Sequence, residues 1–207
     1  MSQEAIQESI NRGFCTIEHI FTMQNYGVLE CLYNLFSQIE LNEVIEIGTH
    51  SGGFTTMLSL AREKASKTFN ITTYDIKHVD HIDEMSKKFN FNVIKEGIFK
   101  ENFELSDFSK ELFSKSKKCI FVDGGNKPVE FEQLSRYLLP GDIIGAHDYC
   151  KNSEVYEENK RNMKVWQWME IQDSDVSEIS EKYNLQQLPF KLSEQFENVA
   201  WLLKIKN

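Results

Sequence analysis

The sequence is short of several things, and each shortage excludes something. Its 207 residues carry 23 Lys and Arg against 32 Asp and Glu, a net charge of −9. It therefore lacks the basic face that neutralises phosphates, and a nucleic-acid partner is not expected. The one basic knot, Lys115-Ser116-Lys117-Lys118, is short and reads as a solvated loop. Four scattered cysteines, Cys15, Cys31, Cys119 and Cys150, form no Cys-x-x-Cys pair. That spacing predicts reduced, buried thiols in a cytoplasmic protein, not a zinc site or a disulfide frame. No apolar run approaches bilayer-spanning length, so no membrane association is expected. The opening residues, MSQEAIQESINRGF, are too polar and acidic for a signal peptide.

What is present is an ordinary globular composition, 41% hydrophobic and 27% charged, on a chain long enough for one domain with a substantial core. Residues 3 to about 40 read as helical, a cap whose apolar positions include Ala5, Ile6 and Ile10, then Val28, Leu29, Leu32, Tyr33, Leu35 and Phe36. These N-terminal helices could cover a homodimer contact. From residue 41 strands and helices alternate. The expected strands are 43–47, 70–76, 91–96, 119–123 and 142–148. The helices between them run from 52 to about 64, 81–89, 104–114 and 129–138. The tail reads as helices at 154–171 and 174–183, then two strands, LQQLPF and NVAWLLKIK, separated by a polar loop. This rhythm predicts an α/β, Rossmann-like, doubly wound and mostly parallel seven-stranded sheet with an antiparallel closing strand, in a single domain.

The stretch EIGTHSGGFTT, Glu46 to Thr56, stands where the first strand of that sheet turns into a helix. In doubly wound sheets such a turn cradles ligands, because glycine tolerates positive φ and the helix aims free N–H groups at a polar group. A dinucleotide fingerprint places one residue between its first two glycines and two before the third. Here Gly48 is followed by three residues before Gly52 and Gly53, which argues against a nicotinamide oxidoreductase.

The acid-x-Gly-x-x-x-Gly-Gly pattern resembles the first motif of class I S-adenosylmethionine-dependent methyltransferases, especially small O-methyltransferases. A second block, IFVDGGNKPVEFEQLSRYLLPGDIIGAHDY (120–149), resembles the subgroup of sugar and macrolide O-methyltransferases and cephalosporin-hydroxylase-like proteins. The resemblance implies S-adenosylmethionine as cofactor and a small hydroxylated acceptor, sugars and sugar-bearing metabolites included. It implies Glu46 near the methionine end, Gly48 and Gly52 beneath it, and the hydroxyls of Thr49 and Ser51 at the cofactor carboxylate. Asp75 would take the ribose diol, since a carboxylate accepts from both hydroxyls. Glu96, Gly97 and Ile98 would border the adenine, and Asp123 the inner side of the cofactor. Metal-dependent members hold Mg²⁺ with acids at these strand ends, which implies Asp123 and Asp148, with Asn126 as a neutral ligand. His147 stands where many relatives have a further Asp.

Transfer to a neutral hydroxyl needs either a metal that lowers its pKa or a base that takes its proton. The metal route uses Asp123 and Asp148. The metal-free route uses His147 or His50 as the base; Asp123 stands with His147 as a catalytic candidate. Each residue also has a structural reading. The glycine turn could be a tight connection only, Asp75 a helix cap, Asp123 a turn brace, and Asp148 a structural acid. Lys127 could contact substrate or cofactor but fits a solvated position better; His78 and His81 read as surface residues, Trp201 as core, Trp166 as core or interface and Trp168 as exposed. The rival reading is a cofactor-binding regulatory or partner-binding module without turnover.

Overall fold

The computed structural model describes residues 14–77, 81–115, 117–162 and 169–207. Nine strands and eight helices are found among them, and seven of the strands form one sheet. Its strands are β3 (Glu43–Ile47), β4 (Asn70–Tyr74), β5 (Asn92–Ile94), β6 (Lys118–Val122), β7 (Ile143–Ala146), β8 (Leu185–Gln187) and β9 (Leu202–Lys206), in the spatial order β5-β4-β3-β6-β7-β9-β8. β3 pairs in parallel with both β4 and β6, while β9 runs antiparallel to β7 and β8. The strand order reverses at β3, so the exits of β3 and β6 flank the switch point where ligands bind in such sheets.

The sheet is covered on both faces. Alternate residues along each strand enter different cores, as period-two geometry requires. Val44, Cys119 and Phe121 face one core; Ile45, Ile120 and Val122 face the other. The first core is closed by α1 (Gly27–Gln38), α2 (Gly53–Lys64) and α3 (Ile82–Phe89), through Leu32, Phe36, Met57, Leu58 and Met85. The second is closed by α4 (Asp107–Phe113), α5 (Lys127–Ser135) and, further on, α7 (Asp173–Lys182), through Leu112, Phe131, Leu134 and Ile179. Between α5 and α7 lies α6 (Ser153–Arg161). No helix among the described residues is long and apolar enough to cross a membrane.

Three segments depart from the sequence expectation. The helical reading of residues 3–40 fails over 14–25, which form an antiparallel hairpin of β1 (Phe14–Ile17) and β2 (Ile20–Asn25); after the hairpin, helix starts at Gly27. The turn residues Glu18 and His19 both take positive φ, as a two-residue hairpin turn requires, without the Asn-Gly that usually announces one. The inward residues of β2 are Thr22 and Gln24, so this strand buries its polar face and leaves Phe21 and Met23 on the partly exposed one. At the C-terminal end the expected polar loop is instead α8 (Phe190–Glu197). Pro189 precedes it, and Leu192 and Phe196, four residues apart, enter the core. The expected helix over 154–171 ends at Arg161, and Ile171 forms a parallel bridge with Tyr149. The expectations for Ala5, Ile6, Ile10, His78, Trp166 and Trp168 lie outside the described residues.

Candidate active site

Gly48, Asp75, Asp123, His147 and Asp148 all sit one or two residues beyond the ends of β3, β4, β6 and β7, on the same edge of the sheet. Gly48 has φ +99°, and a Cβ there would stand 2.2 Å from the carbonyl oxygen of Asp123. The glycine is thus demanded by the neighbouring turn, which crosses directly behind it. Gly52 caps α2 with φ +79°, and a Cβ would meet Ile82 and Met85 of α3. Glycine at both positions lets two strand exits close together around one opening.

Two cavities meet at that opening, and Gly48, His50 and Asp123 border both. The outer cavity, about 500 Å³, is lined by Tyr74, Asp75, Ile76, Glu96, Gly97, Ile98 and Phe99, among others. Asp75 accepts the backbone N–H of His50 at 2.8 Å on one oxygen and that of Lys77 at 2.7 Å on the other. Those two bonds fix the carboxylate and leave acceptor capacity on both oxygens. Ile98 is buried, whereas Glu96 is exposed at the rim.

The inner cavity, about 220 Å³, is lined by Thr22 and Gln24 of the hairpin and by Glu46, Phe54, Asp123, Lys127, His147, Asp148 and Glu170, among others. Glu46 is fully buried. One carboxyl oxygen accepts from the Thr55 hydroxyl, while Oε1 has no hydrogen-bond partner. Burial pushes its pKa from 4.5 up to about 8, against the lowering effect of hydrogen bonds from Thr55 and Thr73. A buried carboxyl with an orphaned oxygen facing a cavity is unfinished, and a bound cationic or donor group would complete it. The hydroxyls of Thr49 and Ser51 are engaged already: Thr49 with Thr73 at 2.6 Å, and Ser51 donating to the Phe21 carbonyl at 2.9 Å.

Behind these, the ends of β6 and β7 converge. His147 Nδ1 lies 3.1 Å from Asp123 Oδ1 and 3.5 Å from Asp148 Oδ1. Burial pulls the His147 pKa down, but the two carboxylates outweigh it and the net direction is up. The His147 ring rests 4.8 Å from the ring of the buried Trp201, which also stacks on Phe54 at 4.8 Å. Trp201 Nε1 donates to Gln24 Oε1 at 2.9 Å, and Gln24 Nε2 donates to Asp123 Oδ2 at 3.1 Å. The hairpin thereby ties the closing strand to the end of β6.

Asp123, His147 and Asp148 offer donor atoms within 4.8 Å of one another, a spacing that could hold a metal ion. Asn126, the neutral ligand suggested by the sequence, caps α5 instead: its side-chain oxygen accepts from Val129 N at 3.4 Å. The cation present is Lys127. Its Nζ lies 2.6 Å from Glu170, 2.9 Å from Asp148 Oδ2 and 3.5 Å from Asp123 Oδ1. The side chain is 4% exposed, not solvated as its sequence context suggested. Mg²⁺ binds carboxylates at about 2.1 Å. An ion on the same Asp148 oxygen would therefore lie within about 5 Å of the ammonium, where repulsion is roughly 7 kcal/mol at an effective dielectric of about 20. As folded, the ammonium of Lys127 already balances these carboxylates, and a divalent ion would have to displace it or bear its repulsion.

The sequence reading missed Gln24, Glu170 and the burial of Lys127. Only Lys127 carried a local signal, its position at the start of the helix that follows the short turn after Asp123.

No family model and no curated protein matches this sequence. Solved structures do match in shape. CmcI with SAH aligns with a TM-score of 0.61 at 8% identity, over 93% of this chain and 82% of that one. CmcI with Mg and SAM aligns with a TM-score of 0.57 at 9% identity, over 92% and 76%. The O-methyltransferase TomG from Streptomyces achromogenes, involved in tomaymycin synthesis and solved with SAM, aligns with a TM-score of 0.50 at 10% identity, over 100% and 91%. The chain shares the fold of these proteins.

Proposed function

We propose that this chain is an S-adenosylmethionine-dependent methyltransferase acting on a hydroxyl of a small molecule. The observation that carries the reading is the unfinished carboxyl of Glu46, buried beneath the Gly48–Gly52 turn at the switch point, with Asp75 held ready at the neighbouring strand end. The fold shared with CmcI and TomG, whose structures hold SAM or SAH, supports the same cofactor here. When bound, it supplies a methyl group activated by its sulfonium charge. Glu46 Oε1 is the acceptor for an amino group. Asp75 is the acceptor for a ribose diol, and Ile98 is an apolar wall for the adenine, with Gly97 and Glu96 at the rim.

The inner cavity is then the acceptor side. Its volume of about 220 Å³ suits a small molecule, and its carboxylates suit one that presents hydroxyl groups, such as a sugar-bearing metabolite. The surplus of acidic groups over basic ones supports such an acceptor over nucleic acid. The attacking hydroxyl gives its proton to the Asp123–His147 pair, which Gln24 and Trp201 hold in place. Alignment of oxygen with methyl is the main contribution asked of the protein.

Calorimetric titration of S-adenosylmethionine and S-adenosylhomocysteine into wild type and Asp75→Ala tests the reading. Micromolar binding is expected in wild type. Loss of two hydrogen bonds to a charged group, about 3 kcal/mol or more, should weaken it at least about 100-fold in the variant. A well-folded wild type that binds neither compound would refute the assignment.

A further inference from the structure

We propose that Lys127 is a built-in substitute for a divalent metal ion: its ammonium occupies the place, and holds the carboxylates, that an ion bound by Asp123 and Asp148 would. The inference rests on the methyltransferase reading only for its catalytic consequence.

Lys127 is the first residue of α5, where the free N–H groups and the helix dipole favour an anion. A buried ammonium is poorly placed there unless something else holds it. Four acceptors do so: Glu170 at 2.6 Å, Asp148 at 2.9 Å, and Asp123 and the Gly124 carbonyl at 3.5 Å. They come from the ends of β6 and β7 and from the segment that bridges to Tyr149, where Glu170 N also donates to the Asp148 carbonyl at 3.0 Å. An ammonium has three N–H donors, and these acceptors engage all of them. Lys127 is therefore not placed to remove a proton from an acceptor. Burial opposes its charge, yet the carboxylates outweigh that and hold it firmly protonated.

The local sequence builds this arrangement. Asn126 caps α5 and fixes its first turn, so the lysine four residues after Asp123 folds back over the end of β6. Lys127 acts as a positioning residue. It fixes Asp123 for its contact with His147 and neutralises part of the charge of three carboxylates, with no metal bound.

The test is a Mn²⁺ titration followed by electron paramagnetic resonance on cofactor-free wild type, Lys127→Ala and Lys127→Ala/Asp148→Asn. Wild type should bind no Mn²⁺ below millimolar concentration. Lys127→Ala should gain a site at least 30-fold tighter, lost again in the double variant. A merely structural lysine would create no such site. If the alanine variant does not fold, Lys127→Gln, which keeps a polar head without the charge, takes its place. Micromolar Mn²⁺ binding by wild type that Asp148→Asn abolishes would overturn the proposal. So would a folded, uncharged Lys127 variant that gains no Mn²⁺ site. The readout needs no cofactor, so failure to bind S-adenosylmethionine would sink the methyltransferase reading and leave this result standing. With turnover in hand, chelation of wild type should change the rate less than 2-fold.

Discussion

Glu46 makes the sharpest prediction, because its cost to the folded state can be worked from its surroundings. The carboxyl is fully buried and its pKa is pushed from 4.5 up to about 8. Above pH 4.5 the unfolded chain gives up this proton while the folded chain keeps it. The folded state then binds more protons, so stability falls as pH rises and levels off only above about 8. Each pH unit in that window costs about 1.4 kcal/mol, or roughly 3 kcal/mol between pH 5 and 7.5. Glu46→Gln removes the titration while its side-chain oxygen can still accept from Thr55. Urea unfolding of wild type and variant at pH 5 and pH 7.5 isolates the effect, since all other titrating groups cancel. Wild type should lose about 3 kcal/mol more than the variant across that interval. Parallel profiles, within about 1 kcal/mol, would refute the burial argument.

The same carboxyl links stability to binding. A ligand ammonium against Oε1 favours the ionised form and drives the proton off. Binding of S-adenosylmethionine at pH 7 should therefore release close to one proton. This is read as a dependence of the calorimetric heat on the ionisation enthalpy of the buffer. Glu46→Gln should abolish the release and weaken binding together.

Two further perturbations test the frame around the site. Gly48→Ala forces a side chain onto φ +99° and into the Asp123 carbonyl 2.2 Å away; left-handed strain alone costs about 1–2 kcal/mol. With the clash, urea unfolding should show a loss of at least about 3 kcal/mol. Lys118 and Asp142 form an ion pair that is completely buried, and Asp142 also accepts the backbone N–H groups of Lys118 at 3.0 Å and Leu139 at 2.7 Å. Asp142→Ala strands the ammonium and should cost about 3–5 kcal/mol in the same assay, far more than an exposed pair such as Lys95–Asp83.

The sheet was legible because its central strands are short and mostly apolar. EVIEI, KCIFV and IIGA are buried at every position, a pattern that suits strands covered on both faces, and each is followed by a turn signal and a helical pattern. The positions proposed for the cofactor were legible for the same reason: Glu46 lies near the end of β3, and Gly48, Asp75 and Asp123 directly follow strand ends. The hairpin was not legible, because its inward face is made of Thr22 and Gln24. Those residues look solvent-facing in sequence, and their partners lie far along the chain: Asp123, 99 residues from Gln24, and Trp201, 177 residues from it. α8 was hidden by length, since eight residues with two buried apolar positions resemble a polar loop.

Lys127 shows why the inner half of the site resisted a reading by motif. A sequence pattern of acids at strand ends specifies where carboxylates stand, but not which cation balances them. The balance depends on Glu170, which reaches the site because Ile171 bridges to Tyr149 and Glu170 N donates to the Asp148 carbonyl. With Glu170 in place, three carboxylates surround one point, and a cation there is electrostatically required. A lysine one residue after the Asn126 cap reaches that point at little cost in chain entropy, because α5 already orders its backbone. A metal would have to displace the ammonium from all three carboxylates at once. The choice between a metal and a metal-free site is therefore set here by one side chain, and its electrostatic consequence is measurable without knowing the acceptor.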